Sequence, residues 1–378
     1  MARGPSSPAE LPPEVIQEII LRLPPRPSCF RRVSLVCKLW RRLARDPGFI
    51  RRFRLRHLHA PPLLGFFGSF PRFVPAYEPP ERFTLPSIGA VDNIRVLGCR
   101  HGRVLLHGRY RYGSLQLVVW DPTRNHDYVF PGPQNPLHPG ACVPPPFHGS
   151  LICVHDHDGH GEECPSRPFR IVILFYGSGC IYASAIVYPQ HAWWRDLVSL
   201  AAPHDLFSSI QPGVLVGNAM YWLSSRQSKI VVLHLDTNRL RLIESLPMDS
   251  QGSYDYYQII KAGDGGLGVA AIRGSHLHLF SLTTISDGTA MWSEYRTVGL
   301  DTLLSPLVKA IEVSDEDAST IFLATINGIF ELRLESMEVN KVLQRGEVIP
   351  KIAYRSFYAR GGSGRDDGEN EVAAQQQV

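Results

Sequence analysis

Ten consecutive residues, His155 to Cys164 (His-Asp-His-Asp-Gly-His-Gly-Glu-Glu-Cys), gather imidazole, carboxylate and thiol donors at a density a divalent metal could exploit. No second cluster completes a closed site, and no helical or strand period fixes the donors, so the run reads as a loop, with metal binding the alternative. His101, His107, His126 and His138 are scattered and read as residues that solvate turns or cap strands rather than as general bases. Gly177-Ser178-Gly179 lacks the strand-turn-helix spacing of a nucleophile elbow, and the chain contains no phosphate loop, HExxH helix or dinucleotide fingerprint. Cysteines at 29, 37, 99, 142, 153, 164 and 180 make an odd set with no CxxC spacing, as expected of thiols in a reducing compartment. The sequence therefore predicts no catalytic residue, no metal and no cofactor.

Charge is unevenly placed. Residues 1–60 hold 13 Lys and Arg against 4 Asp and Glu, whereas the remaining 318 residues hold 26 against 31. The basic stretch Arg51-Arg52-Phe53-Arg54-Leu55-Arg56 could suggest nucleic acid. Its interleaved Phe53 and Leu55 instead fit a solvated helix face beside a buried stripe, so no nucleic-acid partner is expected. The first residues carry no apolar leader-like core and no run approaches 18 apolar residues, which predicts a soluble cytoplasmic or nuclear protein without a membrane partner. Residues 360–378, rich in Gly, Asp, Glu and Gln, read as a disordered tail.

The elements divide into two kinds. Val15, Ile16, Ile19, Ile20 and Leu23 lay one apolar stripe along a helix opened by Pro12-Pro13 and stopped by Pro24-Pro25. Val33, Val36, Cys37, Trp40 and Leu43 repeat that period behind Ser28 as an N-cap candidate. Asp46-Pro47 opens a third helix that buries Phe49, Ile50 and Phe53. Three short amphipathic helices in so few residues are too small to cover their own apolar surface comfortably. A partner protein, or the rest of the chain, must cover what remains.

From about residue 60 the helical period gives way to short runs of Val, Ile, Leu, Tyr and Phe between Gly, Pro, Asn and Asp clusters, an all-β pattern. Five segments repeat one layout, clearest at 214–247 and recurring near 97–125, 169–194, 268–281 and 321–332. The residues just after each middle strand, 121, 188, 236, 282 and 333, are spaced by 67, 48, 46 and 51. A period near 48 with one long insertion predicts a β-propeller of about six blades over 60–358, because such sheets bury their faces against neighbouring copies. A β-sandwich pair is the alternative.

The segment 8–58, with Leu11-Pro12-Pro13-Glu14, Leu23-Pro24 and Val36-Cys37-Lys38-Leu39-Trp40-Arg41 in register, resembles an F-box of the plant type. Pro61-Pro62-Leu63-Leu64-Gly65-Phe66-Phe67 and Leu97-Gly98-Cys99-Arg100-His101-Gly102 are similar to grass-type members, which carry a kelch-like or F-box-associated β-domain after the F-box. The resemblance implies docking on a Skp-type adaptor and, through it, a cullin, making the chain the substrate-recognition subunit of an SCF ubiquitin ligase. Its adaptor-facing residues would be Leu11, Pro12, Val15, Ile16, Ile19, Leu23, Val36, Cys37 and Trp40. The β-domain would hold an unknown client protein, and such a receptor needs no chemistry of its own. A non-degradative scaffold that binds the same adaptor is the alternative.

Overall fold

The computed structural model describes residues 11–57, 61–68, 72–76, 91–110, 115–122, 126–132, 148–153, 168–189, 194–208, 210–224, 229–248, 254–284, 290–301, 303–304, 309–311, 313, 315, 318–344 and 350–357. The histidine-rich run 155–164, His138, Cys142 and the tail 360–378 lie outside them.

The amino-terminal part is helical: α1 (Pro13–Leu21), α2 (Pro27–Val36), α3 (Lys38–Arg45) and α4 (Pro47–Arg56). A proline in the first turn opens α1, α2 and α4, where its fixed φ suits the helix and its missing N–H costs nothing. Asp46 caps α4, accepting from the Phe49 backbone N–H at 2.7 Å. Sequence periodicity predicts one helix across residues 33–43. The structure instead breaks it at Cys37, whose backbone is fully extended (φ −160°, ψ 176°), so four helices stand where three were expected. The break matters because it re-aims everything before it relative to everything after. Ile16, Ile20, Leu21, Val33, Leu43, Ala44, Phe49 and Phe53 form a core of their own. Phe30 packs edge-on to Phe53 with ring centroids 4.7 Å apart.

Six antiparallel sheets follow. The chain first lays down β1 (Leu63–Gly68) and β2 (Phe73–Pro75), then four-stranded meanders. These are β3 to β6 (Val91–Arg100, Arg103–Tyr110, Leu115–Asp121, His126–Pro131) and β7 to β10 (His148–Cys153, Phe169–Gly177, Cys180–Tyr188, Arg195–Ala201). After the short helix α5 (His204–Ser208) come β11 to β14 (Val214–Val216, Ala219–Ser224, Lys229–His234, Arg239–Ile243). The next are β15 to β18 (Tyr256–Lys261, Leu267–Arg273, His276–Thr284, Ala290–Gly299) and β19 to β22 (Lys309–Ile311, Thr320–Thr325, Gly328–Arg333, Val339–Leu343). The last strand, β23 (Pro350–Arg355), returns to pair with β1 in the three-stranded sheet β2-β1-β23.

Alternation along each strand explains why these sheets form a ring. Successive side chains point to opposite faces, so one strand feeds two cores. In β8, Ile171 and Ile173 join the core shared with Leu105 and Val119 of the preceding sheet, while Val172 and Leu174 join that shared with Trp222 and Val231 of the following one. In β1 the pairing with β23 shifts register between Leu63 and Gly65, so the faces are shared at a spacing of three: Leu64 and Phe67 pack with Val104 and Trp120, while Leu63 and Phe66 pack with Phe322 and Val342. Six such cores link each sheet to the next and the last to the first. The chain is thus a six-blade β-propeller closed by strands from both ends of the domain. First strands such as β7 are buried and fourth strands such as β18 are exposed, so the blades run from the axis outward.

The spacing inferred from sequence tracks one strand of each complete blade. Asp121, Tyr188 and Arg333 end the third strands β5, β9 and β21, Asp236 falls just past β13, and Leu282 lies in β17. The sixth blade escaped that count because its strands are about 280 residues apart in sequence.

Closure is reinforced by polar contacts. The Tyr354 hydroxyl donates to the Gly102 carbonyl at 3.1 Å. Arg355, also on β23, donates from Nε to Asp315 Oδ1 at 2.7 Å and from a terminal nitrogen to Glu331 Oε1 at 2.5 Å, with all three residues buried. Burial alone would favour loss of the Arg355 proton, but the two carboxylates outweigh it and hold the guanidinium above its usual range.

Candidate functional site

The helical unit has completed its core and still shows apolar side chains to water. Leu11, Val15 and Ile19 are exposed at and along α1, and Leu35 and Val36 are exposed at the end of α2, Leu35 by 77%. A helix whose outward positions are aliphatic has no solvation reason to be so built; it has the pattern of a surface that another body covers.

The residues expected from sequence divide three ways. Leu11, Pro12, Val15, Ile19, Val36 and Cys37 are exposed. Leu23 and Trp40 are half-buried and pack against the unit's own core beside Phe30 and Leu39. Ile16, at 3% exposure, lies inside the core with Ile20 and Phe53 and packs the helices together. Leu35 was missed. A single uninterrupted helix puts Leu35 off the apolar stripe, whereas the extended residue Cys37 ends α2 early and leaves Leu35 and Val36 together at its open end.

The helical unit that carries this apolar surface is strongly cationic. Residues 11–57 carry twelve Lys and Arg and three acids, Glu14, Glu18 and Asp46. Glu18 is engaged by Arg22 at 2.9 Å and Asp46 by the α4 cap. Arg52 ties α4 to α1 through Gln17 Oε1 at 2.5 Å. His57 contacts the Leu21 carbonyl at 3.1 Å and fastens the end of α4 to the end of α1.

The propeller offers no comparable chemistry among the described residues. His101 occupies the left-handed turn after β3 (φ 48°), its Nδ1 3.0 Å from Cys153 Sγ. His126 is exposed and packs at a tilt against Tyr128, ring centroids 4.5 Å apart. His107 departs from the surface role expected of it: it is buried in β4, and burial, with the Arg95 charge, pulls its pKa down to about 4. His148 is likewise pulled down to about 4 by burial, against a hydrogen bond it donates to the Phe207 backbone, which raises it. Both are neutral imidazoles of the interior near pH 7. Gly177 to Cys180 form a hairpin turn between β8 and β9, with no helix behind Ser178. Among the described residues no three His, Cys, Asp or Glu side chains are grouped to hold a metal ion, and no helix is long and apolar enough to cross a membrane. An open crevice of about 270 Å³ lies between the third and fourth complete blades, lined by Gly217, Asn218, Tyr221, His234, Asp236 and Gly266 among others. Burial pushes the Tyr221 phenol up.

Comparison with curated proteins finds no match. Solved structures with a similar course of chain include a functionally unknown protein from Desulfotomaculum acetoxidans (11% identity, 77% of this chain and 83% of that one, TM-score 0.41). Others are the β-propeller domain of Cps50 (Swd1) from Myceliophthora thermophila (7%, 71% and 90%, 0.34) and Hsv2 from Kluyveromyces marxianus (12%, 73% and 77%, 0.34). The blades themselves, rather than these distant likenesses, establish the propeller. Residues 8–56 match the F-box-like family. The chain therefore joins helices that match an F-box-like domain to a six-blade β-propeller.

Proposed function

We propose that this protein is the non-catalytic, substrate-recognition subunit of an SCF-type ubiquitin ligase. The F-box-like helices dock on a Skp-type adaptor and through it on a cullin, and the propeller holds a client protein for ubiquitination. The observation that carries this reading is the exposed aliphatic set Leu11, Val15, Ile19, Leu35 and Val36 on a helical unit whose own core is already filled. The excess of arginine around it would speed encounter with an acidic adaptor. A receptor contributes by raising the effective concentration of client near the charged transfer enzyme, which asks for two binding surfaces and no nucleophile. The five described cysteines are thiols, which supports a reducing compartment, cytoplasm or nucleus.

The test is capture of a purified Skp-type adaptor by the full chain. Leu35→Asp with Val36→Asp should abolish capture while the thermal unfolding midpoint stays unchanged. Capture that survives this double substitution removes the proposed surface. The degradative role is read separately: clients labelled by proximity to the propeller should accumulate when the proteasome is inhibited, whereas stable clients would make the protein a scaffold.

A further inference from the structure

Two neighbouring blades meet at a thiol and an imidazole. Cys153 ends β7, and His101 occupies the turn between β3 and β4, 52 residues away in sequence, with its Nδ1 3.0 Å from the Cys153 Sγ. The turn that carries His101 is firmly held. His101 and Gly102 both take left-handed backbone (φ 48° and 76°), the Gly102 carbonyl accepts from the Tyr354 hydroxyl, and a Cβ at Gly102 would stand 2.5 Å from Ser356 Oγ.

We propose that Cys153 and His101 form a thiolate–imidazolium pair that reacts with a small neutral peroxide, a modification site independent of whether the helical unit takes an adaptor. Arg103, two residues beyond His101, supplies a second cation. Cys153 is the register partner of Phe169 in the β7–β8 ladder, and the buried guanidinium of Arg103 lies 4.8 Å from the centre of that phenyl ring. Arg100, the partner of Arg103 in the β3–β4 ladder, is buried as well. The carboxylate of this neighbourhood is Asp121, buried at the end of β5, one register step past the Val104–Trp120 pair and so level with Arg103. An excess of cations favours the ionised form of a thiol, which is the nucleophile. Cys153 itself is 4% exposed, so the reactant must be small.

The step balances within the pair. The thiolate attacks one oxygen of hydrogen peroxide, an S–O bond forms as the O–O bond breaks, and the departing hydroxide takes the imidazolium proton to leave as water. Sulfur is oxidised to the sulfenic acid while peroxide is reduced, and a second thiol converts the product to a reducible disulfide. The new oxygen enters beside the turn whose Gly102 carbonyl holds Tyr354, so the oxidation lands next to the contact that closes the ring.

The full chain is treated with hydrogen peroxide in the presence of dimedone, which traps sulfenic acids, and labelling is read at each cysteine by peptide mass spectrometry. His101→Asn is the comparison, since asparagine before glycine suits this turn, and its thermal midpoint should be unchanged. At pH 6.5 an ordinary thiol is only about 1% ionised, and the roughly hundredfold gain in thiolate from ion pairing is partly offset by the lower nucleophilicity of an acidic thiol. Labelling of Cys153 should therefore fall on the order of tenfold in His101→Asn at pH 6.5, with labelling of the exposed Cys37 unchanged and the difference gone by about pH 9.5. In the unaltered chain, labelling of Cys153 should rise less between pH 6.5 and 8.5 than that of Cys37. Equal labelling of the two chains at pH 6.5, a loss that persists at pH 9.5, parallel pH profiles for Cys153 and Cys37, or labelling of Cys153 only after unfolding in urea overturns the proposal.

Discussion

The hydroxyl of Tyr354 donates to the carbonyl of Gly102 at 3.1 Å, across 252 residues of sequence, inside the junction between the last strand and the first complete blade. The Tyr354 ring also packs edge-on against Phe67, with centroids 5.8 Å apart. The two ends of the propeller are thus held by both a polar and an apolar contact from one side chain. Tyr354→Phe should lower unfolding stability by about 1 kcal/mol, the usual cost of one buried hydrogen bond. Tyr354→Ala, which also opens a cavity beside Phe67, should cost about 3–5 kcal/mol. Urea midpoints with unchanged slope would show both; equal losses would mean that the hydroxyl contributes nothing.

Arg355 is the second half of the closure. Arg355→Ala would leave Asp315 and Glu331 facing each other in the interior without a counter-charge, and should destabilise the chain by about 3–5 kcal/mol. The triple replacement Arg355→Met, Asp315→Asn, Glu331→Gln should be markedly more stable than Arg355→Ala alone, because no buried charge is left unpaired. Denaturant unfolding of the pair gives the comparison, and a triple variant no better than the single one would refute the charge argument.

His107 should make stability depend on pH in one direction. Its pKa is lowered to about 4 in the folded chain against 6.5 when unfolded, so between these values the unfolded chain binds more protons. Stability is then full above about pH 6.5, falls as the pH drops toward 4, and levels below it. A loss on the order of 2 kcal/mol is expected over that window. His107→Gln should flatten the profile between pH 4 and 6.5, though His148 will retain a share of it. An unchanged slope in the variant would show that His107 is not the responsible group.

Ile16 and Leu35 should respond to substitution in opposite ways, one through stability and the other through binding. Ile16→Ala removes a buried core side chain and should cost about 2–5 kcal/mol of stability, reducing any binding only through unfolding. Leu35→Ala should leave stability within about 0.5 kcal/mol yet weaken adaptor capture by tenfold or more, as loss of an interface anchor does. Calorimetry beside a capture assay separates the two, and a stable Ile16→Ala chain that fails to capture adaptor would restore Ile16 to the docking surface.

These residues show what can be read without coordinates and why. Periodicity located the helices and the third strand of every complete blade, because alternation and the 3.6-residue repeat are local properties. Asp46 before Pro47 was equally local and could be foreseen as the start of α4, whereas Ser28, expected to cap the second helix, lies inside α2 because Pro27 opens that helix one residue earlier. The extended residue between α2 and α3 was not legible, because Cys37 carries no proline or glycine signal and the apolar spacing runs straight through it. Nor was the burial of Ile16, since adjacent stripe residues Val15 and Ile16 differ only in which way α1 is turned against α3 and α4. The sixth blade depends on pairing between distant segments, and β1 and β23 each look incomplete alone.

That pairing orders events during synthesis. The four helices leave the ribosome whole, with their core assembled, roughly three hundred codons before β23 exists to shut the ring. Throughout that interval the nascent chain presents Leu35 and its neighbours beside an open, unsealed fan of blades, and a message cut short after the codons of α4 but before those of β23 yields a polypeptide that keeps its handle but never gains a finished head.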